Sequence, residues 1–437
     1  MPTTTRYRLR WAALAVLLTA EAMNLLDATI VQVAGPVIHA GLPGPDSDIP
    51  WFSAAYTLPF AVFLITGGRL GDIHGRGRVF RLGVAMFVLA SLACACAPSA
   101  SFLIGARAVQ GAAAAIIIPQ TIGLIRALFD GDELAKALGT IGPVMGLAAI
   151  CGPMLGGVLT HADLFGLSWR PVFLVNVPLG LAVLLATPLL REDRAETRPR
   201  LDLVGTALVV LGAGLLVYPL IAGQAWFLLA VGAAILVLFG VQQRRVAAPL
   251  VETSLFAHRG FPAALVGSLM FFAVMSGLMQ VVPMQLQLGL GLDVQSAGLT
   301  LLPLSAGLAV ASWLAGTWLV PRFGSRVMYA GLGLLLAGIL AANSALLVAL
   351  ALCGLGMGTF TVPFFTAALH RVSPAETGSA AGLLNAVQQL GGTIGVALLG
   401  GVYLQTGTTN AALWIAAALV LLAAIAVSPM VSSRRDR

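Results

Sequence analysis

Three ionisable side chains stand where almost everything around them is hydrocarbon. Glu21 and Asp27 lie within an apolar run that starts at Trp11, and Arg107 lies within another that starts near residue 101. At 1.5 Å per helical residue Glu21 is about 15 Å in from Trp11, near the middle of a bilayer, and Asp27 lies nearer the outer half. A charge at the bilayer centre costs roughly 2.5–3.5 kcal/mol, so such residues face a partner or a cavity. Desolvation favours the neutral form of a carboxyl group, whereas a nearby cation favours the ionised form. A carboxylate held between the two can take up and release a proton, which is what a proton-coupled carrier needs. Arg107 lies about 10 Å in from the outer end of its own run, a depth similar to that of Asp27, and the two are expected to pair. A static polar contact between helices is the alternative reading of the pair. Glu21 is expected either to meet a substrate cation or coupling proton, or to sit neutral and hydrogen-bonded between helices.

Helical geometry places Glu21, Asn24, Ala28 and Gln32 within about 80° of arc, with Asp27 about 60° beyond Asn24, so the first run carries one polar stripe. The second half of the chain offers amides in place of acids: Gln280, Gln285 and Gln287, then Asn385, Gln388 and Gln389. Amides hydrogen-bond but do not titrate, so any proton coupling belongs to the first half. Each of these amides is expected to act as inter-helix glue more readily than as a ligand contact.

Helices that cross a bilayer must position these groups. The chain has 437 residues, 59% of them hydrophobic and 9% charged, with a mean hydropathy of +0.97. Such a chain cannot cover itself with polar surface, and in lipid each span must satisfy its backbone internally as a helix of about 20 residues. The apolar runs predict fourteen spans, near 11–36, 51–68, 80–97, 101–127, 137–160, 171–190, 203–222, 225–242, 262–289, 296–319, 327–342, 345–369, 378–403 and 410–430. Of the 24 Lys and Arg, all but Arg107 and Arg170 fall on one side of this arrangement, and the segments 39–50 and 406–410 on the other side carry none. Basic loops stay in the cytoplasm, so both termini are expected there, and the net charge of +7 reflects that bias and not a nucleic-acid surface. The start imitates a secretion signal, with Arg6, Arg8 and Arg10 before an apolar run and Ala20-Glu21-Ala22, but the run continues to Pro36 and reads as an uncleaved first helix. Cys94, Cys96, Cys151 and Cys353 all fall inside spans and read as small buried hydrophobes, with no metal site or disulfide expected.

The spans group as six, two and six. Residues 1–190 are expected to form one six-helix bundle and 261–437 another, separated by 191–260, a basic linker followed by two extra helices without Asp, Glu, Lys, Arg or His. Two stretches look mechanical. The segment from Gly139 to Gly157 is glycine-rich within a span, and helical glycines cost about 0.5–1 kcal/mol each unless close backbone packing offsets them. Gly152-Pro153 should bend that helix. Gly68 to Arg78, GRLGDIHGRGR, is a tight turn holding Asp72 between Arg69 and Arg76, and reads either as a latch that forms in one conformational state or as a basic anchor. A degenerate copy, LVPRFGSR from Leu319 to Arg326, follows the corresponding helix of the second half without the aspartate.

These residues resemble the major facilitator superfamily, and within it the fourteen-span drug:proton antiporters, over essentially the whole chain. Gly68, Leu70, Asp72, Gly75, Arg76 and Arg78 resemble its loop motif between the second and third spans. Arg107, Gln110 and Gly111 resemble its fourth-span motif, whose arginine the resemblance implicates in proton coupling. Gly139, Gly152, Pro153 and Gly156 are similar to its fifth-span antiporter motif, with Ala148 standing for one further glycine. Leu26-Asp27-Ala28-Thr29-Ile30-Val31 is similar to the first-span motif, with Gln32 for its usual asparagine, and Trp169-Arg170, Phe173 and Asn176-Val177-Pro178-Leu179-Gly180 resemble the sixth-span signature.

The resemblance implies an all-α polytopic membrane protein of fourteen helices, monomeric in the lipid bilayer of the cell inner membrane. It implies export of amphipathic organic compounds, drugs or antibiotics against proton entry by alternating access. No cofactor, metal, nucleic acid or enzymatic activity is expected. A central cavity is expected from Asn24, Trp51, Tyr56, Gln110, Phe271, Gln280, Phe364, Asn385 and Gln389, with Asp27, Arg107 and Glu21 as the proton-coupling set. A carrier for one metabolite or lipid is the alternative.

Overall fold

The structure is a computed structural model and describes residues 9–162, 166–190, 201–246, 249–257, 260–370, 372 and 376–432. The described residues fold entirely as helices and connecting turns. In the first half these are α1 (Arg10–Gly41), α2 (Asp48–His74), α3 (Arg76–Ala95), α4 (Ala100–Leu128), the short α5 (Gly131–Gly139) and α6 (Ile141–His161). They are followed by α7 (Pro171–Leu174) and α8 (Asn176–Ala186), which together form one crossing. Next come α9 (Leu203–Ala222) and α10 (Phe227–Gln243). The second half holds α11 (Gly260–Met284), α12 (Val294–Thr300), α13 (Leu302–Leu314), α14 (Val320–Phe323), α15 (Val327–Ala341), α16 (Leu346–Leu369), α17 (Thr377–Thr406), α18 (Thr409–Ala426) and α19 (Ser428–Ser432).

Among the described residues twelve helices are long and apolar enough to cross a membrane, not the fourteen expected. Two local facts account for the difference. The helix Phe227–Gln243 has 17 residues, about 26 Å at 1.5 Å per residue and a little short of the hydrocarbon thickness. The stretch Val294–Ala341 runs 48 residues as one apolar segment, although its backbone turns at Gly324, where φ is +63°. The glycine segment lies within one candidate crossing, Lys136–His161, with a turn at Thr140 between Gly139, which ends α5, and Ile141, which begins α6. Residue 143 is proline and has no N–H to give the Gly139 carbonyl. Thr140 closes the turn by donating its hydroxyl to the Ala137 carbonyl at 2.6 Å.

The first half packs α4 against α2 and α3, and α6 against α1, over a core that includes Leu17, Met23, Phe80, Phe87 and Ile117. The second half repeats the scheme, with α11 on α17 and α16 between α13 and α15. The α9 helix lies along the seam where α2 meets α17. Thr206 and Thr66 hydroxyls are 3.1 Å apart, and Ala54, Val217, Ile221, Val396 and Ala397 form one small core. Asp202 caps α9 by accepting from Gly205 N–H at 2.8 Å and from the Gln243 amide at 2.7 Å. Burial works against its charge, but those donors, Gln242 and Arg69 outweigh it and hold the Asp202 carboxyl below its usual range.

Glycines report where the helices meet. A Cβ on Gly152 would collide with the Thr29 side chain, and one on Gly157 would lie 3.0 Å from the Val294 carbonyl oxygen of α12. A Cβ on Gly142, Gly146, Gly378 or Gly382 would meet nothing within 4 Å. The halves therefore touch where α6 meets α12, at the end away from Arg10, Arg69 and Arg76, while these four glycines face open space. Gly152→Val should accordingly abolish folding or transport, whereas Gly146→Ala should leave the thermal midpoint of the purified protein unchanged or higher; equal melting of the two variants would contradict the packing. Cys96, expected to be buried, is exposed at the end of α3, because the helix stops at Ala95.

Candidate functional site

Asp27 and Arg107 meet in the interior of the first half. Both are fully buried, and Arg107 Nη1 donates to Asp27 Oδ2. Pairing alone does not stabilise two desolvated charges; their remaining hydrogen-bonding capacity must also be met. Arg107 Nε donates to the Phe52 carbonyl at 3.0 Å, and its Nη1 also donates to Gln110 Oε1 at 2.7 Å. The guanidinium carbon lies 4.4 Å from the Tyr56 ring centroid and 5.8 Å from that of Phe173, so two aromatic rings approach the cation. Asp27 Oδ1 accepts from Gln110 Nε2 at 2.9 Å and from Asn176 Nδ2 at 2.7 Å. Ser91 Oγ accepts a further bond from Gln110 Nε2 at 2.9 Å and donates to the Phe87 carbonyl at 2.8 Å.

Five helices supply this cluster: α1 the acid, α2 the Phe52 carbonyl and Tyr56, α3 Ser91, α4 Arg107 and Gln110, and α8 Asn176. The close approach of α4 to α2 requires Gly111, since a Cβ there would lie 3.0 Å from Tyr56 Cα and closer still to its carbonyl. Such a cluster can hold one positive and one negative charge out of water, and it can change its net charge only by moving a proton.

The other candidates divide. Tyr56 Oη donates to Asn24 Oδ1 at 3.4 Å, which joins both residues to the cluster. Glu21, 7% exposed, lies one to two turns from Asp27 on the same helix. Gln280 faces the opposite half, its Oε1 accepting from Ser53 Oγ at 3.1 Å. Asn385 and Gln389 are half-buried on α17.

Three expected cavity residues sit elsewhere. Phe271 and Phe364 are fully buried and stack on either face of Phe360, with centroids 4.1 and 5.1 Å away, inside the core of the second half. Trp51 turns toward Tyr218 of α9, centroids 6.4 Å apart. Helix rotation decides this, and rotation is set by neighbours that an isolated span does not reveal. Asn176 and Ser91 were not among the candidates. Asn176 carries a signal, as an amide in an apolar span and as part of the sixth-span signature, whereas serine in a span carries none.

In the turn after α2, Arg76 Nη2 donates to Asp72 Oδ1 at 2.9 Å, and Gly75 takes φ +100°, a conformation that disfavours any residue with a Cβ. Arg69 donates to the Pro249 carbonyl and lies within the field of Asp72. Arg78 has interactions of its own, and a Cβ added to Gly68 would lie 3.5 Å from the Pro119 side chain. Of the glycine-helix residues, Gly156 lies against the Ile30 carbonyl, 3.1 Å from an added Cβ, and Pro153 lies within α6.

The family model of the Major Facilitator Superfamily matches residues 17–396, with a further match over 318–436. The chain belongs to the Major Facilitator Superfamily. It is therefore a multi-pass membrane protein of a family that carries small molecules. It is 43% identical over 418 residues to a probable actinorhodin transporter of Streptomyces coelicolor, covering 90% of this chain and 72% of that one. It is 37% identical over 434 residues to puromycin resistance protein pur8 of Streptomyces alboniger, covering 92% and 83%. A solved bacterial homologue of the human lysosomal transporter Spinster, inward-facing and occupied, matches with a TM-score of 0.65 at 15% identity over 99% and 98% of the two chains, which shows the facilitator fold.

Proposed function

We propose that the chain is a proton-coupled antiporter that exports amphipathic organic compounds, drugs or antibiotics, across the cell membrane by alternating access. The observation that carries this reading is the Asp27–Arg107 pair, desolvated and hydrogen-bonded to Gln110, Asn176 and the Phe52 carbonyl within a bundle that must rearrange during transport. Protonation of Asp27 removes the counter-charge of Arg107, which keeps only the neutral Gln110 and Phe52 carbonyl as partners, so the contact of α1 with α4 loosens. The names of the two relatives support an antibiotic or drug as the exported compound. Glu21 and Asn24, on the same helix, form the polar side of the substrate path, with Gln280, Asn385 and Gln389 opposite.

Fourteen crossings belong to this reading. A 48-residue helix would be about 72 Å long, more than twice the hydrocarbon thickness, so Val294–Ala341 is taken as two crossings that reverse at Gly324, and Phe227–Gln243 as the return of α9. Two six-helix bundles, 1–190 and 261–437, then rock about a midplane site as one monomer. Basic residues place that end, with both termini, in the cytoplasm. The open space beside Gly142, Gly146, Gly378 and Gly382 supports reading this conformation as open to the cytoplasm, with the Asp72–Arg76 pair as one setting of the latch.

Everted membrane vesicles carrying an imposed proton gradient test the proposal with ethidium, a planar lipophilic cation. Wild type should accumulate the dye and dissipate the gradient on its addition, and Asp27→Asn, at equal membrane level, should do neither. Full activity of Asp27→Asn would move coupling away from the pair, with Glu21 the next candidate.

A further inference from the structure

Two amides contact Asp27, and they are engaged differently. Gln110 is occupied on both sides: Oε1 accepts from Arg107 at 2.7 Å, while Nε2 is shared between Asp27 Oδ1 and Ser91 Oγ, each at 2.9 Å. Asn176 is fully buried and occupied on one side only. Its Nδ2 donates to Asp27 Oδ1 at 2.7 Å, and its Oδ1 has no hydrogen-bond partner. A carboxylate only accepts, so the nitrogen is the atom that faces it. Leaving an amide oxygen buried and unpaired is costly, and a leucine of similar size would avoid that cost among the apolar neighbours of α8. Packing alone therefore does not account for an asparagine here.

We propose that Asn176 is a positioning residue for Asp27. Its N–H stabilises the ionised carboxylate against proton uptake and so sets the pH range over which the Asp27–Arg107 pair exchanges a proton. The proposal rests on the reading of Asp27 as the coupling acid. Each helix packed around Asp27 contributes to its surroundings: Tyr56 from α2, Cys94 from α3, Arg107 from α4, and Glu21 from α1 itself are the ionisable groups whose fields share this cluster. From α8 comes Asn176, which is neutral. Removing its amide thus deletes one hydrogen bond to a charged group and leaves every charge in place, whereas a change at Arg107 or Glu21 would alter a charge as well.

The test needs no substrate. Infrared difference spectra of the full chain in lipid nanodiscs are recorded between acid and alkaline pH, and the carboxyl band that Asp27→Asn removes is followed as a function of pH. In Asn176→Leu the pH at half-amplitude of that band should rise by about one unit or more, roughly a tenfold change in proton affinity, as expected for loss of a hydrogen bond to a charged group. Asn176→Gln, which retains a donor, should return the profile part of the way, and Asn176→Ala replaces the leucine variant if the latter does not fold. An unmoved profile in a folded Asn176 variant overturns the proposal and leaves the role of Asp27 standing. If wild type and Asp27→Asn give the same spectra, Asp27 does not titrate, and both this proposal and the coupling reading are overturned.

Discussion

Arg107→Leu is expected to be among the most damaging single substitutions in the chain, lowering stability by about 3–5 kcal/mol, because it leaves the Asp27 carboxylate buried without its counter-charge. The variant should express poorly, melt early in detergent and show no gradient-driven accumulation. Adding Asp27→Leu should restore most of the lost stability, since a buried ion pair exchanged for apolar residues of similar volume is often neutral or stabilising. Transport should stay absent in the double variant. That pattern separates the two roles of the pair, because stability depends on both charges being matched, whereas coupling depends on the charges being there. Arg107→Lys should fall between, keeping the charge but losing the guanidinium fork that reaches Phe52 O, Gln110 and Asp27 together. Thermal melting of wild type, Arg107→Leu, Asp27→Leu and the double variant checks the cycle. A single variant as stable as wild type would mean that Asp27 does not depend on Arg107 in the folded chain.

Two glycines of α4 give the second large effect, with opposite signs from the same substitution. At Gly111 an added Cβ would lie 2.8 Å from the Tyr56 carbonyl carbon and 3.0 Å from its Cα. Backbone cannot rotate aside as a side chain can, so Gly111→Ala must push α4 off α2. Overpacking of this kind costs roughly 1–3 kcal/mol, or more where the neighbours cannot yield. The displacement also pulls Arg107 from the Phe52 carbonyl, so transport should fall together with stability. At Gly105 an added Cβ meets nothing within 4 Å, and Gly105→Ala should stabilise by about 0.5–1 kcal/mol through the higher helix propensity of alanine. Melting temperatures that move in the same direction for the two variants would contradict this packing of α4 on α2.

Tyr56 shows how one residue links these effects. Its ring covers the Arg107 guanidinium, its hydroxyl reaches Asn24, and its backbone fills the space left by Gly111. Tyr56→Phe removes only the second of these and should be mild beside either substitution above.

The sequence by itself was sufficient for whatever depends on composition and on depth along a helix. A chain this apolar has only the helix to satisfy its backbone in lipid, so the all-helical architecture follows from hydropathy. Asp27 and Arg107 could be matched because rise per residue converts position into depth, and two rare charges at one depth have few other partners. Gly75 and Gly324 mark their turns because positive φ disfavours other residues. What hydropathy cannot carry is rotation about a helix axis, since a span surrounded by lipid and protein is apolar on every side. For that reason Phe271 and Phe364 went to the core of the second half and Trp51 to the α9 seam, and Asn176 joined Asp27 from 149 residues away. Hydropathy alone also could not place the turn at Thr140, between Gly139 and Ile141. Those outcomes depend on which neighbours are present in space, and only the tertiary structure supplies them.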